Sequence, residues 1–432
     1  MGLGGALDRT VVQDKCLTTS AFGLWLDRTF LELGRQFRLS YLPPLMVYLA
    51  AGVSGLTAIV GTFFVKDYLG LSAAFLAGLA FWAGIPWALK MPLGHLVDLI
   101  WRWKALLVYV GAGLIALSLG IMYGLIAHTE AMAQYLNIET WYVVSALMAP
   151  TGYVVQDVVA DAMTVEAVPL FDDKGDPFPD ADIKQMHTTM QTMGRFAIIS
   201  GLAAVAALNI TLFTGVEQMS QDEKSFIYAD IYLLALIIPV ISIAGVVLGT
   251  VSMRRRAARL RRQGVDEDRI ESILFASAEK VTPNWWILGG SLVFVVFTLA
   301  IGLGKTPFAQ EIVFFGSLGI IVFIMSRLIP ELDPTVRRAF LGTAVIIFVF
   351  RAVPLPGPGA TWFEIDVLGF DQRFLAILTL IASGLALAGM LLLRPLIGRK
   401  TIAYVVALLT LAAGILSIPN IGLYYGVHEW TG

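Results

Sequence analysis

Two aspartates stand four residues apart, at Asp157 and Asp161, inside a long apolar stretch of the sequence. In a helix this spacing places both carboxylates on one face. Like charges held this close raise the proton affinity of one carboxylate, which would allow the pair to carry a proton. Glu166 lies nine residues beyond Asp157 and is predicted to point the opposite way, so we expect only the two aspartates to form a site.

Two cations are predicted to lie at about the same depth in the membrane as the two aspartates. Lys90 stands about eight residues, or roughly 12 Å, inside the end of another apolar helix. Arg195 shares a polar stripe with Thr188 and Gln191, at helical spacings of three and four, and we expect it to face Asp161. An unpaired charge at the centre of a membrane helix costs about 2.5–3.5 kcal/mol, so these cations and the aspartates should neutralise one another. The network could be purely structural, with Lys90 reaching towards the interface, or could also couple to a proton or a charged solute.

A further charged group follows Lys90: Gly94 and Asp98, then Arg102 and Lys104. Gly94 allows close approach of helix backbones, and a charge relay at this helix end could hold two helical bundles together. A solvated basic loop is the alternative explanation for Arg102 and Lys104. The glycine-to-aspartate spacing resembles the Gly-x-x-x-Asp-Arg-x-Gly-Arg loop of the major facilitator superfamily. The match is partial, because the arginine after the aspartate and the second glycine are missing.

The elements that must position these groups are long apolar segments. Of 432 residues, 57% are hydrophobic and 14% charged, and the mean hydropathy is +0.77. A soluble domain could not cover so much apolar surface, so we expect an all-α integral membrane protein. Windows of about 20 residues predict eleven transmembrane helices, at 41–65, 71–97, 105–127, 137–167, 187–214, 227–252, 285–304, 308–329, 337–355, 372–393 and 401–421.

The basic residues predict the orientation, because lysine and arginine favour short cytoplasmic loops. With a cytoplasmic N-terminus, the clusters at 102–104, 254–262, 337–338 and 394–400 all fall on the cytoplasmic side. Residues 1–40 read as a cytoplasmic amphipathic segment rather than a signal peptide. We expect a multi-pass protein of the inner (plasma) membrane, with a plastid envelope as the alternative.

The sequence also repeats itself at an offset of 299 residues. The matched residues are Asp67, Leu69, Gly70, Phe75, Leu76 and Ala77, which recur as Asp366, Leu368, Gly369, Phe374, Leu375 and Ala376. Duplicated blocks of apolar helices are typical of secondary transporters, in which two bundles move around a central site.

The offset predicts the domain organisation. We expect a first six-helix bundle at 41–253, a basic cytoplasmic loop at 254–283, an inserted helix pair at 284–330 and the first three helices of a second bundle at 331–432. The second bundle would then be incomplete. Either the chain is a piece of a longer transporter, which we favour, or the bundle needs a partner.

Four segments together resemble the folate-biopterin transporter family of the major facilitator superfamily. They are Phe64–Leu71, Pro86-Trp87-x-x-Lys90-x-Pro92-x-Gly94-x-x-x-Asp98, Asp157-Val-Val-Ala-Asp161-Ala, and Arg351–Phe370. The resemblance covers residues 41–214 and 337–400. It implies a major-facilitator-like helical bundle that moves a pteridine such as folate or biopterin by alternating access, in symport with protons.

Such a cargo would need aromatic faces for its ring and cations for its glutamyl tail. Tyr48, Trp87 and Tyr153 are candidates for stacking, and Lys90 and Arg195 for the tail. Anchoring at the membrane interface is the competing explanation for the aromatic residues.

Other functional classes find little support. The sequence has no phosphate-binding glycine loop and no zinc-spaced histidine pair, and its single cysteine is Cys16, so we expect no metal, cofactor or ATP hydrolysis. The basic run 254–262 is interpreted as contacting anionic lipid rather than nucleic acid. The acidic loop is predicted to be a linker rather than a calcium site, and comprises Asp172, Asp173, Asp176, Asp180 and Asp182.

Three alternatives to a pteridine carrier remain. The chain could carry another organic anion, or it could be a non-transporting membrane scaffold or assembly factor on the same fold. An intramembrane enzyme fits least well, because both aspartates share one helix and the expected Gly-x-Gly-Asp context is missing.

Overall fold

The computed structural model describes residues 32–171, 177–274, 281–304, 306–353 and 356–430. Within these ranges the regular structure is helical, apart from one isolated bridge between Phe171 and Pro177. Ten helical spans of the described chain are long and apolar enough to cross a membrane. The prediction of a helical membrane protein is therefore confirmed. Cys16, most of the N-terminal segment 1–40, and Asp172, Asp173 and Asp176 lie outside the described residues.

We number twelve helices along the described chain. They are α1 (Leu39–Tyr68), α2 (Ala73–Leu99), α3 (Ala105–Ala127), α4 (Ile138–Ala167), α5 (Asp180–Leu212), α6 (Gln221–Arg262), α7 (Trp285–Leu303), α8 (Ala309–Leu328), α9 (Pro334–Arg351), α10 (Pro358–Asp366), α11 (Gln372–Arg399) and α12 (Ile402–Tyr424). Helices α1, α2 and α6 are each built from consecutive shorter segments. By its contacts the described chain divides into one unit within residues 38–385 and another that includes residues 32–37 and 386–430.

The described helices differ from the predicted ones in three places. Helix α9 forms, but it carries Arg337, Arg338 and Arg351 and is too charged to count among the ten spans. Helix α6 extends to Arg262, past the predicted end at 252. Helix α5 begins at Asp180 rather than near 187, so the predicted linker is wrong for Asp180 and Asp182. Acidic side chains in a first helical turn are favoured by the helix dipole.

Helices α1 to α6 pack closely where glycines face one another. A Cβ added at Gly52 of α1 would lie 2.0 Å from the carbonyl oxygen of Ile198 in α5. One added at Gly111 of α3 would lie 2.7 Å from the carbonyl oxygen of Gly152 in α4. Small residues at such crossings let membrane helices approach until their backbones touch.

A buried network of hydrogen bonds joins three of these helices. The Gln156 amide in α4 donates to the carbonyl oxygen of Val108 in α3 at 3.2 Å. Its oxygen accepts a bond of 3.0 Å from the Ser242 hydroxyl in α6. Since each of these buried groups has a partner, the network fixes how α3, α4 and α6 are rotated against each other.

Helix α2 is interrupted, although the sequence predicts one continuous helix at 71–97. Its segments are Ala73–Ala88 and Lys90–Leu99, joined at Leu89 with φ −82° and ψ 2°. Pro92 explains the break, because a proline cannot donate to the carbonyl four residues earlier, here that of Ala88, and its ring crowds that group. As a result Lys90 becomes the first residue of a new helical segment.

The inserted pair, α7 and α8, packs together and joins the rest of the unit through α2. The backbone N–H of Asn284, the residue that caps α7, donates to Nε2 of the buried His95 at 2.9 Å. This bond attaches the start of α7 to the second segment of α2.

The two copies of the repeated motif share a local backbone conformation. Gly70 and Gly369 both have positive φ, 60° and 70°, a conformation that glycine adopts without steric cost. In each copy the N–H of the preceding leucine donates to the carbonyl five residues back. These bonds join Leu69 to Phe64 and Leu368 to Phe363, each at 3.2 Å.

The helices that follow the two turns are also capped alike. Ser72 accepts a bond of 3.1 Å from the Phe75 N–H at the start of α2. Asp371, at the equivalent position, accepts one of 2.6 Å from the Phe374 N–H at the start of α11. Side-chain caps satisfy N–H groups that have no partner within the helix, so the repeated sequence encodes a repeated turn and helix start.

Candidate functional site

Lys90, Asp157 and Asp161 meet in space and form what we call the charge triad. The Lys90 ammonium nitrogen lies 2.6 Å from Oδ2 of Asp157 and 2.9 Å from Oδ2 of Asp161. The aspartates are one turn apart on α4, so a single ammonium at the start of the second α2 segment reaches both. Hydrogen bonds between charged partners are about twice as strong as neutral ones.

Tyr48 of α1 completes the surroundings of Asp161. Its hydroxyl donates to Oδ1 of Asp161 at 2.5 Å. The Tyr48 ring is buried, and a Cβ added at Gly194 of α5 would lie 2.8 Å from it. Helices α1, α4 and α5 therefore fix the hydroxyl, and the part of Tyr48 that faces the triad is polar. Its predicted role in cargo stacking stays a prediction.

Arg195 does not take the place that the sequence predicts. Among the described residues it makes no ion pair with Asp161, whose two oxygens are instead bound by Lys90 and Tyr48. The expected pair is therefore wrong, because helix depth gives no information on which side chain reaches a carboxylate first. Arg195 is exposed, and its charge lies close enough to act on Tyr48. From the same polar stripe, the Gln191 amide donates to the Thr164 hydroxyl of α4 at 3.4 Å.

The triad opens into a cleft of about 430 Å³ between α2 and α4. Its lining includes Lys90, Gly94, Asp98, Trp101 and Asp161. The Asp161 side chain is 43% exposed and that of Asp157 only 20%, so Asp161 is the carboxylate that faces the cleft. A proton or a solute that enters from the Trp101 end would meet Asp161 first.

Two of the predicted stacking residues lie elsewhere. Trp87 is largely exposed, and Tyr153 packs against the hydrophobic core of the first six helices. Neither lines the cleft, whereas Trp101 does. The sequence alone predicts no role for Trp101, which lies in a short 3-10 turn just past the end of α2.

The charged group near the Trp101 end is organised around Lys104. This buried ammonium forms an ion pair with Glu166 of α4, donates to the Trp101 carbonyl at 3.2 Å and lies 4.0 Å from the centre of the Trp101 ring. Glu166 points away from the triad, but it has a partner that the sequence did not reveal. Lys104 therefore ties α3 to α4 within the first six helices. Gly94 and Asp98 line the cleft, and Arg102 is exposed.

Burial lowers the pKa of Lys104 from its usual value of 10.5, against the opposing effect of the Glu166 carboxylate. At a pH between this lowered pKa and 10.5, the Lys104 side chain is therefore protonated in the unfolded chain but has released its proton in the folded chain. The contribution of Lys104 to stability is thus smallest below its folded pKa and increases as the pH rises through that interval.

We expect the Lys104→Met variant to be destabilised by up to about 3–5 kcal/mol at neutral pH, because Glu166, only 17% exposed, is left without a counter-charge. Adding Glu166→Gln should restore most of the loss, since a neutral pair removes two desolvated charges. Thermal unfolding in detergent measures both effects. Lys184→Met, which removes an exposed lysine, is the control. Equal losses in the double and single variants would contradict the pairing.

At the opposite end of α1, one lysine contacts both aspartates of the repeat. The Lys66 ammonium lies 2.6 Å from Oδ1 of Asp366 in α10 and 3.8 Å from Oδ1 of Asp67. Nearby, the Gln372 amide of α11 donates to the Tyr228 hydroxyl of α6 at 2.8 Å. The second copy of the repeat is thus joined to the first six helices at the Lys66 end.

The part of the chain that the structure describes holds no group of three metal-ligating side chains. Comparison with models of known protein families finds no match, and no curated protein or solved structure is significantly similar to the chain.

Proposed function

We propose that this chain is a secondary active transporter that moves a small organic anion by alternating access, in symport with protons. The observation that carries the proposal is the charge triad, in which one lysine neutralises only one of two carboxylates beside a cleft. The remaining negative charge lies on groups that a proton from the cleft could reach.

The proposed coupling follows from this charge balance. With both aspartates ionised, the triad has a net charge of −1 and repels an anion. Protonation of Asp161, the more exposed carboxylate, makes the triad neutral and leaves Lys90 paired with Asp157 alone. A unit charge about 4 Å away contributes about 4 kcal/mol at an effective dielectric constant of 20, so the proton could change anion affinity by up to about 1000-fold.

The repeat and its contacts support alternating access. The two copies are joined at the Lys66 end, whereas the triad is accessible from the Trp101 end. A site that is open on one side and closed on the other is one of the two states that such a transporter requires. We propose that the Trp101 end is cytoplasmic in an inner membrane, as the basic residues of the sequence favour.

The proposed cargo is a pteridine such as folate or biopterin, and this part of the proposal rests on the motif resemblance alone. The charge-coupling argument applies to folate, whose glutamyl tail is anionic, and not to biopterin, which carries no carboxylate. Helices α1 to α6 would form one bundle of a major-facilitator-like fold, and α9 to α12 part of the second.

The test is uptake of labelled folate, biopterin and an unrelated organic anion into proteoliposomes with a pH gradient. We expect one pteridine to accumulate when the outside is more acidic, and a protonophore to stop its accumulation. Empty liposomes are the control. If the reconstituted protein moves none of the solutes in either direction, the proposal fails in favour of a non-transporting scaffold. Movement of the unrelated anion alone would reject only the cargo class.

A further inference from the structure

A second cavity of about 290 Å³ lies among the ends of α1, α3, α4 and α6. Much of its wall is apolar, and Pro43, Met163, Val246 and Met253 contribute to this part of the lining. The proposed transport cycle makes no use of this cavity.

The charged side chains of the cavity are mostly cationic. Arg102, Lys104 and Arg256 line it together with one carboxylate, that of Glu166. Lys104 and Glu166 pair with each other, and Arg256 adds a guanidinium group to the lining. Guanidinium groups bind phosphate oxygens in a forked geometry that suits them well.

Trp101 supplies a second and independent observation. Its indole Nε1 is buried and has no hydrogen-bond partner within the described chain. The indole nitrogen can only donate, and buried donors are nearly always satisfied. Because Trp101 lines this cavity, an oxygen-rich anion bound there could accept the missing hydrogen bond.

We propose that the cavity binds the phosphate of an anionic membrane lipid. It lies where α3 begins at Ala105 and where α6 ends in the basic run Arg254–Arg262, which is the level at which apolar helices leave a membrane. Basic pockets between membrane helices bind lipid headgroups at this level. The apolar wall suits the glycerol and the first part of the acyl chains, and the small volume suits a headgroup better than a larger solute.

The site has a consequence for the cleft. Trp101 lines both cavities, so a bound lipid would hold its ring in place at the end from which the triad is reached. Binding itself does not depend on the proposed transport.

The experiment measures the melting temperature of the detergent-solubilised protein during titration with phosphatidylglycerol, phosphatidylcholine or inorganic phosphate. A ligand that binds the folded state raises this temperature in a saturable way. We expect phosphatidylglycerol to do so, and phosphatidylcholine and inorganic phosphate at equal concentration to have little effect. Arg256→Gln, and Trp101→Phe, which keeps a ring but loses the donor, should each raise the half-saturating lipid concentration about tenfold or more.

Arg259→Gln is the matched control, because Arg259 belongs to the same basic run but does not line the cavity. Its response should equal that of the native chain. Equal responses from all three variants would overturn the site in favour of diffuse attraction to the basic run. Saturation by inorganic phosphate alone would overturn the assignment to a lipid. Failure of the uptake assay with a normal lipid response would leave the cavity proposal intact.

Discussion

Replacing Asp161 with asparagine should abolish uptake driven by a pH gradient in proteoliposomes while leaving membrane insertion and folding intact. Asparagine has nearly the shape of aspartate, and its single amide oxygen can still accept a hydrogen bond from Lys90 or Tyr48, but it cannot take up or release a proton. It also resembles the protonated carboxyl, so the triad of the variant stays neutral throughout the cycle. Gradient-driven uptake should fall below about 1% of the native rate. This corresponds to an increase of about 2.7 kcal/mol or more in the activation free energy of uptake.

Exchange of labelled for unlabelled solute across the same liposomes should persist in this variant, because a permanently neutral triad can still bind an anion. This combination separates lost coupling from lost folding. Glu139→Gln, an equivalent change at an exposed carboxylate on the same helix, should leave both activities at the native level. Undiminished gradient-driven uptake by the Asp161→Asn protein would remove the coupling hypothesis.

Linking the Lys66 and Asp366 positions should stop transport reversibly. The only native cysteine is Cys16, so a Cys16→Ser background allows cysteines to be placed at 66 and 366 alone. Their ion pair is partly exposed, and such pairs contribute about 0–1 kcal/mol, so the unlinked variant should retain most of its uptake. A short bifunctional thiol reagent with a cleavable disulfide would then join α1 to α10. Alternating access requires this end to open, so the link should reduce uptake to background and a reductant should restore it.

The matched control joins two positions within the first six helices. Tyr68 of α1 hydrogen-bonds the backbone of Gln221 at the start of α6, and the same reagent between cysteines at these positions should not slow uptake. Both elements belong to one proposed bundle and would move together. Normal uptake by protein that is fully linked between 66 and 366 would contradict opening at the Lys66 end.

The apolar segments could be predicted from the sequence because polar or charged residues mark their ends. Helix α3 was predicted at 105–127 and is observed at Ala105–Ala127, where Lys104 and His128 end the apolar run on either side. The repeated turns were also predictable, since a glycine with positive φ and a capping side chain are local features.

The contacts of the candidate site were harder to predict, because they depend on which sides of neighbouring helices pack together. Comparing the depths of residues along their helices correctly predicted that Lys90 lies near the two aspartates. The same comparison predicted the wrong partner, Arg195, for Asp161. The Lys104–Glu166 pair joins residues 62 positions apart, and no spacing rule relates them. The break at Leu89 could have been read from Pro92, whose effect on the carbonyl of Ala88 is local.

The lysine between the two repeat-related aspartates makes the halves of this chain unequal. The position equivalent to Lys66 in the second copy holds Ile365, so at this position only the first copy provides a cation. Two lysines placed side by side here would repel each other, whereas a single lysine can pair with both carboxylates and lies closer to Asp366. An assembly of two identical half-length chains would carry this lysine in both copies, so it could not place a single cation between the two aspartates. Fusion of the two copies into one gene is what allows a single charge to favour one side.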